Sequence, residues 1–475
     1  MADSSLPTNQ VQLTLGEVMR ATGGVLLGDP NASVRGVSTD SRADLSGALF
    51  VALVGERFDA HDFVEQARAR GAVALLVERE VTCDLPTIRV PSTLGALGAL
   101  GALRRRAWGG KVIAVAGSAG KTTTRAALSA LLEAAEPGLV HYARGNFNNL
   151  IGVPLVLLSL GERERLAVVE LGTNQRGEVA TLTQMAAPDV GILTLIGYEH
   201  TEGLGDLDGV EAEEAALFAG VSVAIGNVDD ERVARQLTRA AGRRVSYGKR
   251  ADADYRLRVL GLSSRGSELE VTRRVAKREV TTSFRTSTLG DAGAYAACAA
   301  LAAVETLLGR ELPAATMQAA FASATASEAG RLCPVELTGG ILLLDDTYNA
   351  NPESVVSSLE LARQLAEQRG VPLVLVLGEM RELGALSVGL HRQVGEAAAA
   401  RRPALLITVG GDARALAEAA AERGVPGEFA EDSDAAAELL LARLQGPSVI
   451  LVKASRGVHA EKVVSRLISA KGRAA

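Results

Sequence analysis

A chain of 475 residues with 47% hydrophobic and 22% charged side chains has an ordinary globular balance, and its length suggests about three domains. A formal net charge of -6 excludes the basic footprint of a nucleic-acid-binding protein, and aromatics at 3% leave the cores to alanine, leucine and valine. Cys83, Cys298 and Cys333 match no zinc or disulfide pattern, residues 1–10 lack a secretion signal, and no apolar run approaches the roughly 18 residues of a membrane span; a cytoplasmic protein with no membrane insertion is expected.

Residues 11 to about 107 pattern as a small α/β unit, with a helix at 15–21 and strands at 49–53 and 73–77. Two polar clusters close short strands here, Ser38-Thr39-Asp40-Ser41-Arg42 and Gly55-Glu56-Arg57-Phe58-Asp59-Ala60-His61-Asp62. Each is either a plain turn or a holder of a polar ligand. The repeat at 94–103 reads as a helix with small residues on one face, leading into a linker at 108–110. Arg104-Arg105-Arg106 reads as its solvated end.

The second unit opens on Ala114-Val115-Ala116-Gly117-Ser118-Ala119-Gly120-Lys121-Thr122-Thr123-Thr124. An apolar strand at 111–116 precedes the glycines and a helical pattern at 125–133 follows them. That context makes a phosphate-binding loop, in its shorter Gly-x-x-Gly-Lys-Thr form because Val115 stands where the longer motif has glycine. Backbone N–H groups and the helix N-terminus face phosphate oxygens, Lys121 reaches the outer phosphates, and Thr122 offers its hydroxyl to Mg²⁺. The expected nucleotide is ATP or GTP.

Downstream, Asn146-Phe147-Asn148-Asn149 precedes a helix whose first turn holds Pro154. The strand at 166–170 ends in Glu170. At the carboxyl edge of a parallel sheet that residue either holds Mg²⁺ or caps the surface. The strand at 190–196 ends in Gly197-Tyr198-Glu199-His200, with His200 structural or a ligand on equal terms. Alternation from 252 to 288 predicts antiparallel edge strands, followed by helices at 292–308 and 313–323.

From Gly330-Arg331 onward, strands at 341–344, 373–377, 405–409 and 449–452 alternate with helices, which predicts a second doubly wound sheet. Its first strand ends in Asp345-Asp346-Thr347-Tyr348-Asn349-Ala350-Asn351-Pro352, too polar for a simple turn. Gly378-Glu379-Met380 and Lys453-Ala454-Ser455-Arg456 close two more strands at that edge. The fold class is therefore α/β in three domains: a small N-terminal one (1–107), a central phosphate-loop domain with a parallel sheet (108–328), and a Rossmann-like doubly wound C-terminal one (329–475).

These stretches, with Glu170-Leu171-Gly172-Thr173-Asn174 and Gly378-Glu379-Met380-Arg381-Glu382-Leu383-Gly384, closely resemble the Mur ligases over nearly the whole chain. Asn-Phe-Asn-Asn and Tyr-Asn-Ala-Asn-Pro point to the branch that adds D-alanyl-D-alanine. The resemblance implies ATP-dependent amide formation in peptidoglycan precursor synthesis. The terminal carboxylate of a UDP-N-acetylmuramoyl-tripeptide becomes an acyl phosphate, which the amine of D-Ala-D-Ala attacks.

By the same resemblance, Lys121, Glu170, His200 and Glu214 are the catalytic groups, and Mg²⁺ falls to Thr122, Glu170 and His200. ATP falls to Gly117, Ser118, Ala119, Gly120, Lys121, Thr122, Thr123, Arg331, Asp346, Tyr348, Asn349 and Asn351. The UDP substrate falls to Ser38, Asp40, Ser41, Arg42, Asp59, His61, Asn146, Asn148 and Asn149. A monomer with a hinge near Ala329-Gly330 is expected. The alternatives are a non-catalytic relative that binds UDP-muramyl peptides, a sister ligase with another amino acid, and a folate polyglutamate synthase.

Several positions depart from the family pattern: Ala116 for threonine, Ala60 in Asp-Gly-His, and Ala454 in Lys-Gly-Ser. Glu214 stands where these ligases commonly carry a carbamylated lysine, and is expected to supply the same negative charge, with Glu211 and Glu213 as a plain acidic helix face. Gly290-Asp291-Ala292-Gly293-Ala294-Tyr295-Ala296 replaces Gly-x-His-Asn-x-x-Asn, so the amides near adenine are missing.

Overall fold

The computed structural model describes residues 6–55, 58–143, 145–275, 278–323 and 329–474. Glu56 and Arg57 of the second polar cluster, and residue 328 at the end of the expected central domain, lie outside the described residues. Three α/β units follow one another along the chain.

The first unit is built on a sheet in the order Val25–Leu27, Thr87–Arg89, Ala74–Val77, Leu49–Val51, Val37–Ser38, parallel apart from its Val25–Leu27 edge. Ser92 caps the helix Thr93–Trp108 by accepting the Gly95 N–H at 3.1 Å, and the helix stops where Gly109 takes left-handed backbone. Arg105 corrects the expectation of a solvated end. It is buried, and its guanidinium donates to the carbonyls of Gly110, Ala186 and Ala187 and to Asp189. An arginine with five fixed donors can pin three chain segments in this way, and here it bolts the first unit to the second.

The central sheet has nine strands. Lys111–Ala116 lies in its parallel part, with Leu166–Glu170 and Val140–Tyr142 on one side and Val190–Leu193, Val223–Asn227 and Arg243–Gly248 on the other. Val112 to Ala116 are wholly buried, as a parallel strand covered on both faces requires. The expected antiparallel strands are present as Tyr255–Ser263, Gly266–Val275 and Arg278–Thr286.

One helix corrects the reading of apolar runs. Gly290–Leu308 is 19 residues long and apolar enough to cross a membrane by length and composition, yet it is a core helix packed on the phosphate-loop helix Lys121–Ala135. Its alanines keep the two helix axes close. Glu305, on its inner face, pairs with Arg273 at 2.8 Å with both side chains fully buried, and also accepts from the Tyr255 hydroxyl at 3.1 Å and the Leu312 N–H at 2.9 Å. That network fixes the antiparallel extension against the helix, since a buried pair persists only when its remaining lone pairs are satisfied.

The third sheet runs Cys333–Leu337, Ile341–Asp346, Ser448–Lys453, Leu373–Gly378, Leu405–Val409, Gly427–Ala430, and is parallel except at its Cys333–Leu337 edge. The four expected strands are its interior and near-interior members. Both edges, which are short and half exposed, lack a hydrophobic run to announce them. Cys83 and Cys298 are free thiols.

Candidate active site

The carboxyl ends of the second and third sheets face each other across a cleft of about 920 Å³. On the central side the strand Val190–Leu193 ends three residues earlier than its apolar run. Thr194 turns its hydroxyl onto the carbonyls of Ala116 and Ala119, at 3.2 and 2.7 Å, and the Ser118 N–H donates to the Leu195 carbonyl. This seats the loop. Gly117 holds a φ of 122°, and a Cβ there would lie 2.2 Å from the Thr194 hydroxyl, so glycine is obligatory.

Lys121, the first residue of its helix, donates to the Gly117 carbonyl at 2.5 Å and to Glu199 at 2.9 Å. Burial works against its charge, but Glu199, Glu214 and Glu170 outweigh it and lift the pKa above the ordinary value. Thr122 donates to Glu170 Oε1 at 3.2 Å, and the Asn148 amide reaches the same oxygen at 3.0 Å. Arg125, one helical turn beyond Lys121, contacts Glu170 Oε2 at 3.2 Å. Among the described residues no three His, Cys, Asp or Glu side chains converge as a metal nest. Thr122, Glu170 and Asn148 instead form an oxygen-rich corner, the donor chemistry of a hard cation whose other ligands are phosphate and water.

His200 leads across the cleft. Its Nδ1 lies 2.6 Å from Glu382 of the third domain, which leaves Nε2 as the ring nitrogen for a metal, the arrangement in which a carboxylate orients a coordinating imidazole. Alongside, Thr201 donates to the Leu383 carbonyl at 2.9 Å, Glu353 accepts the Tyr198 N–H at 3.0 Å, and the Asn351 amide donates to the Ser118 carbonyl at 3.2 Å.

On the third-domain side, Arg331 lies 3.8 Å from the centre of the Tyr348 ring, with Arg456 on it at 5.2 Å. Asp346 accepts from Lys453 at 2.6 Å, from the Ser358 hydroxyl at 2.7 Å and from the Leu332 N–H at 3.2 Å. Lys453 also donates to the Asn349 carbonyl at 3.0 Å. Asn351 caps the helix Pro352–Arg369.

Two expected groups are placed differently. Glu214 is wholly buried behind the loop, where its Oε2 accepts the Gly117 N–H at 2.6 Å, and it does not line the cleft. Burial pushes its carboxyl up to about 8, opposed by Lys121 and reinforced by Glu199. Glu211 and Glu213 are not a solvated face either: Glu211 gathers Arg232, Arg235 and Gln236, and Glu213 accepts the N–H groups of Gly177 and Val179.

Of the residues assigned to the UDP substrate, Asn146, Asn148 and Asn149 line the cleft; Ser38, Asp40, Ser41, Arg42, Asp59 and His61 do not. Asp40 and Arg42 pair with each other at 2.8 Å on the exposed surface. His61 is buried. Its Nδ1 lies 2.5 Å from Asp59 and its Nε2 accepts the Glu78 N–H at 2.8 Å, so the ring braces that turn. Glu199, Glu382 and Lys453 stand within stretches quoted from the sequence but carry no role there, and Glu353 lies outside those stretches.

Family models match in three consecutive blocks: the Mur ligase family catalytic domain over residues 33–105, the Mur ligase middle domain over 115–304, and the Mur ligase glutamate ligase domain over 330–456. The chain belongs to the Mur ligase family. Among curated Mur ligases it is 36% identical to the UDP-N-acetylmuramoyl-tripeptide--D-alanyl-D-alanine ligase of Escherichia coli, over 96% of this chain and 98% of that one. A crystal structure of MurF from Acinetobacter baumannii superimposes with a TM-score of 0.86 at 29% identity, covering 98% of this chain and all of the other. MurF ligase from Thermotoga maritima in complex with ADP matches with a TM-score of 0.77 at 27% identity, over 91% and 97% of the two chains. The three-domain Mur ligase fold is therefore the fold of this chain.

Proposed function

We propose that this Mur ligase joins D-alanyl-D-alanine to a UDP-N-acetylmuramoyl-tripeptide, with ATP activating the tripeptide carboxylate as an acyl phosphate. The observation that carries the reading is the opposition, in one cleft, of the Lys121–Thr122 loop and the Arg331–Tyr348 and Asp346–Lys453 pairs. The name shared by the curated relatives supports the substrates.

Lys121 exchanges Glu199 for an outer phosphate oxygen and neutralises charge as it develops there. Mg²⁺ at the Thr122–Glu170 corner would add Lewis-acid stabilisation of the phosphates. Thr122 would turn its hydroxyl from Glu170 towards the cation, and Asn148 would hold Glu170 in place. Arg331, Asp346, Tyr348, Asn349 and Asn351 would fix the nucleotide from the third domain, and the His200–Glu382 contact would hold the two walls together while the amine attacks. Ser38 to Arg42 would carry the UDP end from the first domain. The expected organisation is a monomeric cytoplasmic enzyme divided at 107/108 and 328/329.

The test is phosphate release by the purified protein with Mg-ATP and UDP-muramoyl-tripeptide, with and without D-Ala-D-Ala. Release that depends on the dipeptide supports the reading. Binding of the nucleotide peptide with no release would remove it in favour of a non-catalytic relative.

A further inference from the structure

A dipeptide that attacks through its amine carries a carboxylate at its other end, and a cleft that holds it firmly offers that group a cation. The lysines and arginines lining the cleft among the described residues are Lys121, Arg331, Arg381, Lys453 and Arg456. All but Arg381 have work elsewhere. Lys121 faces the outer phosphate, and Lys453 is spent on Asp346 and the Asn349 carbonyl. Arg331 and Arg456 lie against the Tyr348 ring, at 3.8 and 5.2 Å from its centre.

Arg381 is half-exposed and held in place from several directions. Its backbone is pinned at two successive N–H groups: that of Met380 donates to the buried His391 Nε2 at 2.9 Å, and its own to Ser455 Oγ at 3.0 Å. Glu379 orients the side chain. Its Oε1 accepts the Asp412 N–H at 3.3 Å, while its Oε2 accepts from Arg381 Nε at 3.0 Å. The guanidinium lies over Gly457, where a Cβ would come within 2.0 Å of Nη1, so a side chain at 457 would displace it. Nη1 and Nη2 make no hydrogen bond among the described residues, and their N–H groups are the ones that grip a carboxylate bidentately.

The distance to the reacting atoms is short. Arg381 precedes Glu382, whose carboxylate lies 2.6 Å from His200, and consecutive Cα atoms are about 3.8 Å apart. An extended dipeptide spans roughly 7 Å. An amine presented to an acyl phosphate beside Lys121 and His200 therefore leaves its terminal carboxylate within reach of a long side chain at 381. We propose that Arg381, oriented by Glu379, binds the terminal carboxylate of the incoming dipeptide and selects amines that carry one. The proposal rests on the dipeptide-joining reading above.

Phosphate release with D-Ala-D-Ala and with its C-terminal amide tests it. The wild-type KM for the amide should exceed that for the acid by about 10- to 100-fold. Arg381→Ala should raise the KM for the acid by a similar factor and no longer distinguish acid from amide. It should leave the KM for ATP and for the UDP-linked substrate within about twofold of wild type. Arg381→Lys, which keeps the charge, should recover part of the preference. Equal wild-type KM values for acid and amide, or an Arg381→Ala variant that still prefers the acid by more than about tenfold, would overturn the assignment and leave the ligase reading standing. No release by wild type with either dipeptide would remove the ligase reading and the assignment together.

Discussion

His200 and Glu382 meet across the domain cleft at 2.6 Å, and both hold left-handed backbone, with φ of 50° and 65°. Neither is glycine, so each conformation is held by its surroundings rather than by local preference. The Glu382 carbonyl also accepts the Glu202 N–H at 3.2 Å, which makes the contact a two-point clasp. Burial works against the imidazolium, but the Glu382 hydrogen bond and the Glu199 and Glu382 charges outweigh it and lift the His200 pKa. The His200 hydrogen bond in turn holds Glu382 below its usual range.

For a base with a raised pKa, the stabilisation is complete below the unfolded value, about 6.5, and disappears as pH rises through the lifted folded value. Glu382→Gln should therefore destabilise the protein most at low pH. Thermal unfolding of wild type and variant should converge as pH climbs from 6 to 9. A gap that stays constant over that range would show that the clasp does not depend on the charge of His200.

Lys121 is held by Glu199 before any phosphate arrives. Glu199→Gln should weaken that hold and lower the KM for ATP about three- to tenfold, on the order of 1 kcal/mol. Lys121→Ala should abolish turnover, because the outer phosphate then lacks its main cationic partner. Steady-state kinetics on both variants provide the check, and a wild-type rate in Lys121→Ala would refute the assignment of the loop.

Glu214 gives a pH effect through an acid. Its folded pKa, about 8, lies above the unfolded value of about 4.3, so its contribution is present in full below the latter and is lost as pH rises through the former. Glu214→Gln, which keeps an oxygen for the Gly117 N–H, should remove much of the fall in melting temperature between pH 5 and 8. Glu214→Ala leaves that buried N–H without an acceptor and should cost about 1–3 kcal/mol at any pH. Calorimetry across the pH series separates the two.

The first domain offers a cleaner division of labour. Arg42→Ala removes an exposed guanidinium that does not line the cleft, so it should raise the KM for the UDP-linked substrate about tenfold and leave the KM for ATP unchanged. Equal changes in both constants would mean that Arg42 acts through folding.

The phosphate loop was legible because its chemistry is local: glycines, lysine and threonine within a few residues, between a strand and a helix. Glu170 and Asp346 were legible because a buried strand that ends in acid places it at the ligand edge. Glu382 stands in the quoted 378–384 stretch, but its pairing with His200 was not legible, since the two lie 182 residues apart. Arg105 misled for the opposite reason: a run of three arginines looks solvated until a second domain supplies carbonyls to it. Glu214 was picked out by spacing, but its burial, which pushes its carboxyl up, cannot be read from spacing.

The first two amides of the phosphate loop are spent inward, Gly117 on Glu214 and Ser118 on the Leu195 carbonyl. The N–H groups left for a phosphate therefore begin at Ala119, at the mouth of the helix Lys121–Ala135.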